Sequence, residues 1–237
     1  MTPSGPPGQF RPRIARRPRA LASHAILLGG VTLAALAACA RIGEDVFSHE
    51  TAPFDEPIRA WMLHHQTNGV RRLFLVVTHA GAPMSIIPVT AAAAIWLRAT
   101  RGLPIAGAVV LAPTVALALF VAIKKSYRRA RPAGAEALHQ RTYAFPSGHA
   151  AASAAIFGTL AYVLWREGIL PAGWATALST MPTLLIGTSR VYLDVHWSTD
   201  VLGGWSLGAL VTAMSALVYE QLRSDTRAHG AAVTRHG

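Results

Sequence analysis

"PIAGAVVLAPTVALALFVAI", residues 104–123, carries no charged side chain and has the length of a helix that crosses a bilayer. The composition agrees: of 237 residues, 52% are hydrophobic and 14% charged, whereas a soluble domain of this size carries about 25% charged residues. Working outward, "MSIIPVTAAAAIWL" (84–97) is short for a span and is expected to extend upstream. "HAILLGGVTLAALAACA" (24–40) makes a first span. Downstream, "AAASAAIFGTLAYVLW" (150–165), "LPAGWATALSTMPTLLIGT" (170–188) and "VLGGWSLGALVTAMSALVY" (201–219) complete a set of six. The fold class expected is an all-α six-helix membrane bundle over residues 21–222, with no repeat and no second domain. Pro88, Pro113 and Pro182 fall inside spans, where neighbouring helices tolerate the kinks they cause. Between the first two spans, "IRAWMLHHQTNGVRRLFLVV" (58–77) is expected to lie along the membrane surface.

The termini differ from this core. Residues 1–20 hold Pro, Gly and arginines with little to bury, and read as a disordered basic tail. Residues 223–237 read as a second tail. Short arginine-bearing flanks mark the cytoplasmic side. With six spans, the amino tail, Arg98, Arg101, Arg166, Arg223 and Arg227 share one side, so both termini are expected in the cytoplasm of a bacterial cell bounded by its inner membrane. Lys124, Lys125, Arg128, Arg129, Arg131 and Arg141 then stand on the outer, periplasmic side, against the rule. Arg128, Arg129 and Arg141 are assigned there to lipid headgroups. The formal net charge of +11 is compatible with nucleic acid, an anionic membrane surface or an anionic substrate, and a lipid-embedded chain sets nucleic acid aside. The single cysteine, Cys39, allows neither an intramolecular disulfide nor a zinc cluster, although "LAAC" resembles a lipoprotein cleavage site.

Three polar segments require an explanation of their own. Lys124 starts the connection after the third span, His149 ends it, and "SRVYLDVHWSTD" (189–200) links the fifth and sixth. The 40 positions from His149 to Ser189 allow one descent and one return, so all three segments emerge on one face. Lys124, Arg131 and Arg190 would repel one another around an empty centre, and their convergence implies an anion with several acceptor oxygens, such as phosphate. Ser147 is placed as an N-cap, and Gly148 lets backbone N–H groups approach the anion at a helix start. His196 and Asp200, four apart, are expected on one helical face, with the carboxylate fixing the imidazole tautomer and leaving Nε2 free. That is the arrangement of an oriented nucleophile. His149, from another helix, can supply the second proton transfer. The alternatives are an ordinary interfacial hydrogen bond, or a metal site that the neighbouring cations oppose.

As they stand, Lys124 followed after six residues by Arg131 and Pro132, Pro146 to His149, and Ser189-Arg190 with His196 and Asp200 resemble the signature of the type 2 phosphatidic acid phosphatase superfamily. The resemblance implies that His196 attacks phosphorus, that His149 protonates the leaving oxygen and then activates water, and that Asp200 holds His196. It implies that Lys124, Arg131, Ser147, Gly148 and Arg190 bind the phosphoryl oxygens, and that no metal or other cofactor is needed. The function expected is hydrolysis of a phosphomonoester or diphosphate on a lipid whose tail enters sideways from the membrane. A phosphotransferase using the same phosphohistidine and a non-catalytic lipid-phosphate binder are the alternatives, with a haloperoxidase remote. Gly204 and Gly208 read as a helix-packing pair within the chain.

Overall fold

The computed structural model describes residues 18–236, and every described element is helical. The elements are α1 (Pro18–Phe47), α2 (Ala52–His64), α3 (Asn68–His79), α4 (Pro83–Arg101), α5 (Leu103–Tyr127), a 3-10 segment (Ala133–Leu138), α6 (Gly148–Arg166), α7 (Ala172–Tyr192) and α8 (Ser198–His236). Of the basic tail expected over residues 1–20, only Pro18, Arg19 and Ala20 are described, as the start of α1; the rest lies outside the described residues. The stretch from 223 continues α8 as helix to His236.

Among the described residues, five helices are long and apolar enough to cross a membrane: Ile26–Phe47 of α1, α4, Ile105–Tyr127 of α5, α6, and Ser198–Ser224 of α8. The fifth expected span is helical as α7, but Thr176, Ser179, Thr180, Thr183 and Arg190 keep it below that apolarity. The second span grows in the opposite direction from the one expected. It begins at Pro83, whose missing N–H suits the first turn of a helix, and gains Arg98 to Arg101 at its far end. The helices α4 and α7 continue through Pro88 and Pro182. The surface stretch is two helices broken at Thr67, whose side chain accepts from the Val70 N–H and caps α3.

The centre of the bundle is the pair α6 and α8. Half of the α6 span and 56% of the α8 span are buried, against 17% of α1 and α4, so the outer helices spend most of their surface elsewhere. Small residues allow that closeness. A Cβ on Gly204 would lie 2.6 Å from the Ser147 carbonyl oxygen, and one on Gly208 would lie 2.7 Å from the Ala151 oxygen and overlap the Ala154 methyl. The Gly204/Gly208 pair therefore packs α8 on α6 within the chain, as the spacing suggested. This contact carries Ser147 to the α8 amino end, where its N–H donates to the Asp200 carbonyl at 2.9 Å.

Candidate active site

Four chain segments meet at the amino ends of α6 and α8. The last turns of α5 supply Lys124, the following loop supplies Arg131, Gln140 and Thr142, α6 begins with Gly148 and His149, and the α7–α8 turn supplies His196. All of these line one cavity of about 270 Å³. Its other wall is apolar: Gly81, Pro83, Ile86 and Ile87 at the head of α4, Ala116 and Phe120 on α5, and Ala151 and Ala152 on α6. A polar pole and a greasy wall in one cavity suit a ligand with a charged head and an apolar tail.

Among the described residues, Lys124, Arg131 and Arg190 enter no ion pair, although Lys124 and Arg190 are buried. The Lys124 ammonium sits 4.6 Å from the centroid of the Phe120 ring. Arg131 is fixed by protein oxygens: Nε donates to the Thr142 carbonyl at 2.5 Å and Nη1 to the Val195 carbonyl at 2.6 Å. Arg190 Nη1 donates to the Thr78 hydroxyl at 2.8 Å, while its Nε has no partner. The hydroxyl of Ser147, on a residue with no exposed surface, also lacks one. Ser147 occupies the N-cap position of α6 as the sequence placed it, but its side chain makes no capping bond. Buried polar groups without partners are rare and costly, so two of them on residues expected to hold phosphate fit an anion site. Gly148 has a further reason to lack a side chain: a Cβ there would lie 2.8 Å from the Phe120 ring.

His196 is buried, with Nδ1 3.3 Å from Asp200 Oδ2 and Nε2 3.2 Å from Arg131 Nη1. An arginine can only donate, so Nε2 accepts and the proton sits on Nδ1, facing the carboxylate. Burial drives the His196 pKa down to about 4, helped by the charges of Arg131 and Arg190 and opposed by Asp200, which keeps the imidazole neutral at pH 7. Burial likewise lowers Arg131. The pair is not held on the single helical face that the spacing suggested. His196 lies in the turn before α8 rather than on a helix, and Asp200, in the first turn of α8, reaches back to it. The same Oδ2 accepts the Trp197 N–H at 2.8 Å, one half of a capping box.

Two features escaped the sequence reading. Arg129, assigned there to lipid headgroups, instead joins Asp200 and Asp55 at 2.7 and 2.6 Å. Asp55 is 1% exposed. Burial alone would raise its pKa, but hydrogen bonds from Ser198, Thr199 and Arg129 hold it below the usual carboxylate range. Arg59 of α2 grips Asp194 with two bonds of 2.6 and 2.7 Å, and that pairing raises the arginine. The only signal for Arg129 was its place two residues before Arg131. Asp55 and Asp194 had none, because α2 must fold over the α7–α8 turn before they gain partners.

The family model of the PAP2 superfamily matches residues 102–224, just over half of the chain. The chain belongs to the PAP2 superfamily. Phosphatidylglycerophosphatase B of Bacillus subtilis (strain 168) is 38% identical over 94 residues, 38% of this chain and 45% of that protein. Undecaprenyl-diphosphatase of Sulfolobus acidocaldarius is 36% identical over 76 residues, 32% of this chain and 34% of the relative. Each match thus spans less than half of the relative's length. The crystal structure of a transmembrane PAP2 type phosphatidylglycerolphosphate phosphatase from Bacillus subtilis superimposes with a TM-score of 0.71 at 24% identity, covering 78% of this chain and 93% of that one. Aquifex aeolicus LpxE gives 0.54 at 21% identity, over 68% and 93%. The PAP2 membrane fold is common to all three structures, and with five apolar helices it marks an integral membrane protein.

Proposed function

We propose that this PAP2 protein hydrolyses a phosphomonoester or diphosphate on a lipid through a phosphohistidine. The observation that carries the reading is the one cavity in which unpaired cations and two histidines face an apolar wall. The lipid tail lies along Ile86, Ile87 and Phe120 and enters sideways from the bilayer. Lys124, Arg131 and Arg190, with the Ser147 hydroxyl and the Gly148 backbone, take the phosphoryl oxygens and neutralise the charge that grows in the transition state. His196 Nε2 attacks phosphorus and the bond to the lipid oxygen breaks, while His149 protonates that oxygen. Water then attacks the phosphohistidine and gives its proton to His149, releasing phosphate and restoring His196. Three fixed cations supply the charge a metal ion would otherwise bring, so turnover proceeds without one.

The sixth crossing is α7, which exposes Trp174, Met181, Leu184 and Leu185 between α6 and α8 in the chain. With six crossings both termini share one side; the arginine-bearing flanks support the cytoplasm as that side, with the cavity on the periplasmic face of a bacterial inner membrane and residues 21–222 as the membrane domain. The relatives' names point to phosphatidylglycerol phosphate and undecaprenyl diphosphate as the substrate classes to try first. The test is phosphate release by the purified protein from detergent-dispersed phosphatidic acid, phosphatidylglycerol phosphate and farnesyl diphosphate, with EDTA present. Release that survives EDTA, stops with orthovanadate, and leaves acid-labile label on His196 supports the reading; release requiring added magnesium, or no histidine adduct, overturns it.

A further inference from the structure

The nucleophile assigned above lies on a turn, and a turn holds an imidazole in place only if both of its flanks are fixed. Two ion pairs fix them. Upstream, Asp194 has a positive φ of 56° and is held by Arg59 and by the Gly134 N–H at 2.9 Å. Downstream stands Arg129. Its Nη1 donates to Asp200 Oδ1 at 2.7 Å and Thr199 Oγ1 at 2.8 Å, and its Nη2 to Asp55 Oδ2 at 2.6 Å and Thr51 Oγ1 at 2.7 Å. The guanidinium groups of Arg59 and Arg129 both lie over the Trp197 indole, 5.8 and 5.7 Å from its centroid.

Arg129 therefore differs from Lys124, Arg131 and Arg190. Both of its Nη groups are engaged by protein acceptors, so it offers little to a phosphate. Its charge has another use. Asp200 has no exposed surface, and a buried carboxylate needs a cation. With Arg129 on Oδ1, that need is met and His196 can stay neutral beside Oδ2. Without it, the nearest group able to become positive and face Oδ2 is the imidazole itself, which would then lose the lone pair that attacks. Asp55 keeps Arg129 in place and also accepts the Thr199 N–H at 2.9 Å, so it anchors the start of α8 at the same time.

We propose that Arg129, anchored by Asp55, is a positioning residue that neutralises and aims Asp200 so that His196 Nε2 stays unprotonated. The inference rests on the reading of His196 as nucleophile. The other charged and titratable groups facing His196 are Arg131 from the loop, Arg190 from α7 and His149 from α6, with Lys124 of α5 acting on Asp200. None of them touches Oδ1, so replacing Arg129 leaves that set intact.

The experiment compares wild type, Arg129→Gln, Arg129→Lys and Asp55→Asn in detergent, by the pH profile of phosphate release from dioleoyl phosphatidic acid and by NMR titration of nitrogen-15-labelled histidine, with His196 assigned through His196→Gln. Arg129→Gln is expected to lower kcat about 100-fold with KM within about three-fold, the scale of a small misplacement of a reacting group. Its acid limb and the His196 midpoint rise by about one unit or more, because a neighbouring cation has been removed. Arg129→Lys brings the midpoint back while recovering only part of kcat, since an ammonium keeps the charge but not the fork. Asp55→Asn sets an amide N–H₂ against the guanidinium and gives a smaller loss in the same direction; it carries the same readouts if Arg129→Gln does not fold. An unmoved His196 midpoint in both Arg129→Gln and Asp55→Asn, or a lysine variant indistinguishable from glutamine, overturns the proposal. If wild type releases no phosphate, the phosphatase reading fails by itself, and the NMR midpoints still decide the role of Arg129.

Discussion

The two ends of α6 carry the same kinds of side chain and use them in opposite ways. At the Arg166 end, Arg166 binds Glu220 through two nitrogens, Tyr162 donates to Glu220 at 2.9 Å, and Tyr219 donates to Glu167. Arg101 and Arg223 approach Glu167 at 3.3 and 3.5 Å, so helices α4, α6 and α8 are tied by charges that all have counterparts. At the His149 end, among the described residues, Lys124, Arg131 and Arg190 have no carboxylate within ion-pair distance, and Ser147 Oγ and Arg190 Nε have no hydrogen-bond partner. A matched cluster is a fastening. A cluster of cations without ion-pair partners, two of them buried and with donors left over, fits the anion receptor proposed above, since a bound anion would offset the desolvation.

That contrast is most directly broken at His196, the proposed nucleophile. His196→Ala should cut phosphate release by about five orders of magnitude or more, the scale on which losing a covalent nucleophile acts. Thermal stability should change far less, and a variant with residual turnover above a hundredth of wild type would remove His196 from the reaction. Next in size is Lys124→Ala. Removing one preorganised charge from a site that stabilises a transition state costs about 100- to 1,000-fold in kcat. At the same time, one member of a mutually repelling trio is lost, so the empty protein should melt no lower than wild type. A clear drop in melting temperature would mean that Lys124 acts as structure. Activity in wild type should hold as the pH falls toward 5, because the His196 pKa near 4 keeps the imidazole unprotonated there. A His196 midpoint near 6.5 in the histidine NMR titration would show that burial does not act on it as the geometry requires.

The convergence of the cations and histidines at one end was readable in the sequence, and the contacts that support them were not. Lys124, Arg131, His149 and His196 could be placed on one cavity because alternating spans dictate which connections share a face, and charge in an apolar chain is conspicuous. The Gly204/Gly208 pair was legible for the same reason: its spacing has a packing meaning on any helix. Arg129 was misread because six cations in one segment look alike until the loop is folded. Its role depends on Asp55, 74 positions away on a helix that sequence alone described only as surface-seeking. The helical placement of His196 failed for a local reason. Asp200 caps the turn from inside the helix, and the spacing of four does not distinguish a full turn of helix from this arrangement.

The packing that joins the two ends gives the next test. Gly208→Leu would drive a side chain into Ala154 and the Ala151 carbonyl, where a Cβ alone is already too close. Overpacking of this kind costs about 1 to 3 kcal/mol. Because the same crossing sets Ser147 against the Asp200 carbonyl, kcat should fall several-fold along with the melting temperature.

The smallest effect belongs to the matched end. Glu220→Gln removes the charge that Arg166 grips but keeps an acceptor for Tyr162, and the carboxylate is partly exposed, so solvent takes up some of the loss. A cost of about 1 to 2 kcal/mol, below that of a fully buried pair, follows. The site at the far end of α6 should be untouched, with kcat, KM and the acid limb all at wild-type values. The comparison is asymmetric and therefore informative: if Glu220→Gln lowered kcat as strongly as Lys124→Ala, the two ends of the bundle would be coupled through α6 and α8, and the division between fastening and receptor would not stand.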